Sequence, residues 1–275
     1  MKKICLAIIV LLQISHARSV RFQGGDVYSR KRQSIQDVKQ LSEFTQSTIF
    51  RAGKVVNELA RAVGTSSYLY ASHDEYFFLT NFHVMQSQSE CDKAKIVMID
   101  QTYKRKTLKC HRVVAIGDYK SGSDHLVFSV KKSDKSAFIN NLREIKSFVN
   151  DTRIGDQLSI VGFGGAHMST RKFDIGLSDD SDCVVLWGTS KIGFNRKDMN
   201  SVFFTGCDIR SGDSGSAVFN KRTGSLVGLL FASARVKNPI TTNEIKQYLG
   251  SRYPKFYSHA SYAIDIESMN LENLE

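Results

Sequence analysis

Tyr76-Phe77-Phe78-Leu79-Thr80-Asn81-Phe82-His83-Val84 is a short aromatic-rich apolar run that breaks at a polar turn, and the turn delivers a histidine. A run this short, rich in aromatic side chains and ending in polar residues, reads as a β-strand rather than a helix. Runs of the same kind recur on both sides of it. Val63–Ala71, Ile96–Ile99, Arg112–Ile116 and Leu126–Val130 lie in the first half of the chain. Leu158–Phe163, Cys183–Gly188, Val202–Thr205, Ser216–Asn220, Ser225–Ala232 and Ser261–Ile266 lie in the second. Many short strands separated by turn residues predict an all-β barrel or sandwich. Helical spacing is confined to three places. Ile35, Val38, Leu41 and Phe44 predict a helix over Ser34–Phe44, a second is expected within Ser136–Phe148 between the two strand-rich halves, and a third around Asn243–Gly250. The pattern is that of a two-lobed β protein.

Composition sets the outer bounds. The chain has 275 residues, of which 41% are hydrophobic and 24% charged, enough to bury a core. With only 2 prolines and 19 glycines it has no composition for a long flexible linker. The longest apolar run, Ile4–Leu12, falls short of the roughly 18 residues that a spanning helix needs. Lys2 and Lys3 precede that run and Ser15-His16-Ala17 follows it, the order of a signal peptide cut after Ala17. Export to a secreted or periplasmic location is therefore expected, with no stable membrane insertion once the signal is removed. Residues 18–35 are polar and basic, with Arg30-Lys31-Arg32 as the densest cluster, and read as an exposed leader. The formal net charge is +11, but the basic residues are dispersed and no recognition motif accompanies them, which argues against nucleic-acid binding.

Removal of the signal peptide takes Cys5 with it and leaves Cys91, Cys110, Cys183 and Cys207, an even number suited to an oxidising compartment. Three pairings are possible. The sequence-near one, Cys91–Cys110 with Cys183–Cys207, closes loops of about 20 residues, each worth about 3 kcal/mol. Zinc has nothing to start from, because no Cys-x-x-Cys occurs and no histidine stands at ligand spacing from a cysteine pair.

Three segments carry chemistry. Thr80-Asn81-Phe82-His83-Val84 sets a histidine after a strand, Ser123-Asp124-His125-Leu126-Val127-Phe128 sets an aspartate at the mouth of another, and Arg210-Ser211-Gly212-Asp213-Ser214-Gly215-Ser216 sets a serine in a glycine-flanked turn. Serine is a poor nucleophile unless an imidazole takes its proton, and the imidazole needs a carboxylate to fix its tautomer and stabilise its charged form. Glycines beside the serine let the backbone aim the N–H groups of Gly212 and Ser214 at one developing oxyanion. Strand alternation turns His125 to the face opposite Asp124.

Together Asn81-Phe82-His83-Val84, Asp124-His125-Leu126-Val127 and Gly212-Asp213-Ser214-Gly215 resemble the chymotrypsin-like (trypsin-fold) serine peptidases, in the bacterial secreted branch that includes glutamyl endopeptidases and trypsin-like enzymes. The resemblance runs from about Val63 to Ile266. It implies two six-stranded β-barrels with the site in the cleft between them, His83 as general base, Asp124 as its orienting carboxylate and Ser214 as nucleophile. It further implies an oxyanion hole of the Gly212 and Ser214 N–H groups, and a primary pocket with Asp208 at its base and Ala232 and Ser233 on its walls, which would favour Lys or Arg. The domain plan is then signal peptide 1–17, leader or pro-segment 18–45 and peptidase domain 46–270, with barrels over about 46–135 and 150–270. The resemblance implies a monomer acting on protein or peptide substrates with no metal or cofactor.

Two departures stand out. Ser216-Ala217 replaces the family's usual Gly-Pro after the serine turn, and no Ile-Val-Gly-Gly mature N-terminus is visible, which leaves two readings of Asp213: it bonds locally, or it pairs with an α-amino group released near Gln33–Ile35 by cleavage at Arg30-Lys31-Arg32. A catalytically idle relative, binding a polyanionic envelope surface through its positive charge, is the alternative function. A lipase or esterase of α/β-hydrolase type is excluded by the missing Gly-x-Ser-x-Gly, the His-Asp-Ser order and the lack of alternating helices.

Overall fold

The computed structural model describes residues 31–33, 35–117, 123–145, 148–164, 173, 175–179, 183–194, 197–233 and 261–271. The expected signal peptide, Arg30 and the helix around Asn243–Gly250 lie outside the described residues. The first described elements are β1 (Lys31–Gln33), α1 (Ile35–Val38) and α2 (Glu43–Arg51). The N-terminal lobe follows with β2 (Ala52–Asn57), β3 (Ala62–Ala71), β4 (Glu75–Thr80), α3 (Gln88–Cys91), β5 (Ala94–Ile99), β6 (Arg105–Lys109), β7 (Arg112–Ile116) and β8 (Leu126–Lys131). These strands form a seven-stranded sheet in the order β6-β5-β2-β3-β4-β8-β7. The C-terminal lobe contains β9 (Leu158–Gly162), β10 (Ile175–Ser178), β11 (Val185–Phe194), β12 (Lys197–Thr205), β13 (Ala217–Asn220), β14 (Leu226–Ser233) and β15 (Ser261–Asp265). With β1 they make an eight-stranded sheet in the order β1-β10-β9-β13-β14-β15-β12-β11.

The two-lobed, all-β architecture is the expected one, with seven and eight strands in place of six and six. Its packing explains why the strand sequences do not alternate. Tyr76, Phe78, Leu126 and Phe128 point into the N-terminal core with Ile96 and Met98. Their neighbours Phe77, Leu79 and Val127 point the other way, into a shared core with Phe204, Ala217, Phe219 and Ile264 of the second lobe. Strands β4 and β8 are thus apolar on both faces because each face meets a different core. The C-terminal lobe repeats the arrangement: Phe203, Val218, Leu230 and Ala263 fill its own interior.

The N-terminal segment departs from the expected exposed leader. Lys31–Gln33 pair antiparallel with Ile175–Leu177 on the edge of the second sheet, and Val38 is fully buried. Lys31–Gln33 and Val38 thus belong to the folded domain. The single helix expected over Ser34–Phe44 is instead two, because the Ser42 hydroxyl accepts from Thr45 N–H at 3.2 Å and starts α2 afresh. Arg51, at the end of α2, joins the lobes: it donates to the carbonyls of Tyr68 and Arg143 at 3.2 and 2.5 Å and lies over the Tyr68 and Phe219 rings. The helix expected within Ser136–Phe148 is reduced to a 3-10 turn over Ala137–Asn141, pinned where the Tyr76 hydroxyl donates to Asn140 at 2.7 Å. Cysteines 91 and 110 are bridged, as are 183 and 207, the sequence-near pairing. No helix among the described residues is long and apolar enough to cross a membrane.

Candidate active site

Strand β4 is buried along its length and runs directly into the histidine turn. That turn is closed by Val84 N–H donating to the Asn81 carbonyl at 3.1 Å. Because Thr80 pairs with Leu126 across the β4–β8 ladder, the residues preceding β8 lie opposite those following β4. Asn81 Nδ2 fastens the two ends by donating to the Asp124 carbonyl at 2.7 Å. Asp124 is 2% exposed and spends both carboxylate oxygens on one residue. Oδ1 accepts from the backbone N–H of His83 at 3.0 Å, and Oδ2 lies 2.5 Å from His83 Nδ1. A carboxylate at Nδ1 places the ring proton there and leaves Nε2 as the basic nitrogen. The imidazole is 38% exposed, so it faces solvent on the side away from the carboxylate.

The serine turn is built separately, by glycine and a buried acid. Gly212 and Gly215 hold φ of +97° and +88°, the region that side chains disfavour. Between them Asp213 is fully buried, with Oδ1 accepting from Gly164 N–H and Oδ2 from Arg210 N–H, both at 2.6 Å. Asp213 is thus held by backbone N–H groups from its own turn and from the segment after β9. A Cβ on Gly164 would stand 2.6 Å from that carboxylate, so the approach requires glycine. The far end of the turn is tied to β14, where Gly215 N–H donates to Leu230 C=O and Leu230 N–H to Ser216 C=O, each at 2.9 Å.

The histidine turn and the serine turn arrive on different lobes, and both abut strand β3. Thr65 N–H donates to the Ser214 carbonyl at 2.8 Å. A Cβ on Gly64 would come within 2.5 Å of Val84, the residue after His83, and 3.1 Å of the Ser214 carbonyl. The histidine turn and the serine turn therefore press on the same glycine. Among the described residues neither Gly212 N–H nor Ser214 N–H donates to another backbone group, whereas Asp213 N–H goes to Arg210 C=O and Gly215 N–H to Leu230 C=O. Gly64 and Thr65 carry no motif in the sequence, and Asn81 stands in the histidine motif without a role of its own. The one signal for them was an isolated glycine inside a strand, which marks close backbone approach.

The expected pocket residues are more dispersed. Asp208 is half-buried directly after the bridged Cys207, with its N–H donating to Ser178 Oγ at 3.0 Å. Ala232 is half-buried on β14, opposite Tyr262 of β15, and the side chain of Ser233 lies outside the described residues. His125 packs against Gly117, and its Nδ1 lies 2.7 Å from Ser123 Oγ. Burial pushes its pKa down to about 4, so it stays neutral near pH 7. No group of three or more His, Cys, Asp or Glu side chains capable of holding a metal occurs among the described residues.

Two curled antiparallel lobes, one carrying a bonded His–Asp pair and the other a glycine-flanked serine turn, are the architecture of the chymotrypsin-like class. Residues 64–229, more than half of the chain, match the trypsin-like peptidase domain, and the chain belongs to that family. It is a serine peptidase of the chymotrypsin-like kind. Solved structures agree on the fold. Deg5 is similar with a TM-score of 0.53 at 16% identity, over 86% of this chain and 92% of that one. The active form of the Rv3671c protease from M. tuberculosis is similar with a TM-score of 0.51 at 13% identity, over 82% and 80% of the two chains. The MamO protease domain from Magnetospirillum magneticum gives 0.53 at 10% identity, over 81% and 95%. No curated protein matches the chain.

Proposed function

We propose that this peptidase is an exported endopeptidase in which Ser214, His83 and Asp124 act as a catalytic triad and which cleaves after Lys or Arg. The observation that carries the reading is the grip of Asp124 on His83, with one oxygen on the ring and the other on the backbone. That grip sets the tautomer in which Nε2 can accept a proton. Ser214 Oγ attacks the peptide carbonyl carbon and its proton passes to His83 Nε2. The tetrahedral oxyanion is held by the N–H groups of Gly212 and Ser214. Collapse breaks the C–N bond, His83 returns the proton to the leaving amine, and an acyl ester remains on Ser214. Water, deprotonated by His83, then attacks the ester carbon, the bond from that carbon to Ser214 Oγ breaks, and His83 passes the proton to Oγ to restore the serine. Every proton is accounted for by side chains of the chain itself.

Export is supported by the two disulfides, which persist in oxidising compartments, together with the Lys-Lys start and apolar run of residues 2–12. The preference for Lys or Arg rests on Asp208, half-buried six positions before Ser214. A carboxylate there would pair with a cationic side chain, and the small Ala232 leaves room for a long one. The test is a set of fluorogenic peptides that differ only in the cleaved residue, offered to wild type, Ser214→Ala and Asp208→Ser. Cleavage after Lys and Arg that vanishes in Ser214→Ala and loses its preference in Asp208→Ser supports the reading. Preference for Glu or Phe, or an unchanged Lys/Arg preference in Asp208→Ser, overturns the assignment of the pocket.

A further inference from the structure

Thr65 lies in β3 of the N-terminal lobe, is fully buried, and has no part in the acyl transfer itself. It nevertheless bonds to three segments of the site. Its backbone N–H donates to Ser214 C=O at 2.8 Å. Its hydroxyl donates to Gly212 C=O at 3.0 Å and accepts from Phe163 N–H at 3.1 Å. Its own carbonyl accepts from the Thr80 hydroxyl at 2.7 Å, on the strand that leads into the histidine turn.

We propose that Thr65 is a positioning residue for the acyl-transfer step, its hydroxyl holding the Gly212–Ser214 turn in register with the strand that carries His83. The inference rests on the reading of Ser214 and His83 given above. A trans peptide is planar, so fixing its carbonyl fixes the N–H at its other end. The carbonyls of Gly212 and Ser214 are the ones that Thr65 holds, one through its side chain and one through its backbone. The intervening carbonyl of Asp213 is held by Ser216 N–H at 2.9 Å, which sets the direction of Ser214 N–H. Gly212, at φ +97°, has no side chain to anchor it, and the Thr65 hydroxyl ties its carbonyl to the opposite lobe.

The hydroxyl is used in both directions. Its single proton goes to Gly212 C=O and its lone pair takes the Phe163 N–H, so serine can reproduce the pair of bonds whereas alanine and valine cannot. Phe163 is followed by Gly164, whose N–H holds the Asp213 carboxylate. Thr65 thus closes a loop of bonds that runs from the histidine strand through both sides of the nucleophile. The close fit of β3 to the turn is shown by Gly215, where a Cβ would run into the Thr65 carbonyl. Loss of the hydroxyl leaves the Gly212–Asp213 peptide held by Asp213 N–H on Arg210 C=O but no longer tied to the opposite lobe, so the turn can shift without unfolding, and displacements of about 1 Å at a reacting centre can cost about a hundred-fold in rate.

The test compares Thr65→Ala, Thr65→Ser and Thr80→Val with wild type on one peptide substrate, measuring kcat and KM separately, with near-ultraviolet circular dichroism as the check on folding. The expected result is a kcat about ten- to a hundred-fold lower in Thr65→Ala at a KM within about threefold of wild type, and recovery to within about threefold in Thr65→Ser. Wild-type kcat in Thr65→Ala, or a Thr65→Ser variant as slow as Thr65→Ala, overturns the proposal. If Thr65→Ala does not fold, the other two decide. Thr80→Val slower than wild type at unchanged KM, with Thr65→Ser intact, supports the coupling, and Thr80→Val at wild-type kcat overturns it. Ser214→Ala runs alongside: if wild-type turnover does not depend on Ser214, the triad reading itself has failed and this inference falls with it.

Discussion

Acidification from pH 7 to pH 5 should weaken the fold through one buried side chain, His125. It is 6% exposed, its ring occupies the space that a Cβ on Gly117 would need, and its Nδ1 bonds to Ser123 Oγ. Burial lowers its pKa from 6.5 to about 4, against the opposing pull of the Asp124 charge. Between those two values the unfolded chain binds more protons than the folded one, so the stability present at neutral pH is lost as pH falls from 6.5 towards 4. At about 1.4 kcal/mol per pH unit the ceiling is about 3 kcal/mol, of which about 2 kcal/mol is gone by pH 5. Carboxylates act lower. Bonding to Arg112 holds Glu75 below its ordinary value of 4.5, and Arg222 holds Asp156 at about 2, so their contributions are lost only at more acid pH. The assay is urea unfolding of the oxidised protein at pH 7, 6 and 5, for wild type and for His125→Asn, which cannot take up the proton. Wild type should lose about 2 kcal/mol and His125→Asn almost none. A wild-type stability that is level from pH 7 to 5, or a His125→Asn variant just as sensitive, would refute the reasoning.

Three further outcomes are expected. Asp124→Asn should lower kcat by about four orders of magnitude with little change in KM, because Nδ1 loses the acceptor that sets its tautomer, and steady-state kinetics on a peptide substrate decides it. Replacing Cys91 and Cys110 together by alanine should cost about 3 kcal/mol in chemical unfolding, while thiol titration of denatured, unreduced wild-type protein lacking Cys5 finds no free cysteine. Gly215→Ala should fold poorly or melt at least about 10 °C lower than wild type in a thermal scan, because its φ of +88° disfavours a side chain and its Cβ would meet the rigid Thr65 carbonyl.

The sequence announced those strands whose residues are apolar and lie between turns. Tyr76–Thr80, Arg112–Ile116 and Leu126–Val130 were recognisable for that reason, and the strands containing them run over nearly the same residues. Other strands carried no such signal. Ala52–Asn57 pairs on both edges and is buried throughout, so it does not alternate, and it includes a fully buried Lys54. Arg105–Lys109 is an edge strand with four of its five side chains at least partly exposed, so its charged sequence carries no apolar run. Lys31–Gln33 looked like solvated leader because its pairing with Ile175–Leu177 is a tertiary contact that no local pattern encodes. The same division holds at the site. His83, Asp124 and Ser214 stood out by residue type and by their place beside strands. Thr65 did not, because a threonine in a strand is ordinary and its importance comes from what the other lobe brings against it.

The central claim is that Ser214 is a nucleophile activated by His83 and held against β3. Its most direct test is covalent labelling with a fluorophosphonate, followed by peptide mapping of the adduct by mass spectrometry. The expected result is stoichiometric label on Ser214 alone, abolished in Ser214→Ala and slowed at least about a hundred-fold in His83→Ala, while both variants keep wild-type circular dichroism. Folded wild-type protein that takes up no label, or that carries it on another residue, would contradict the claim.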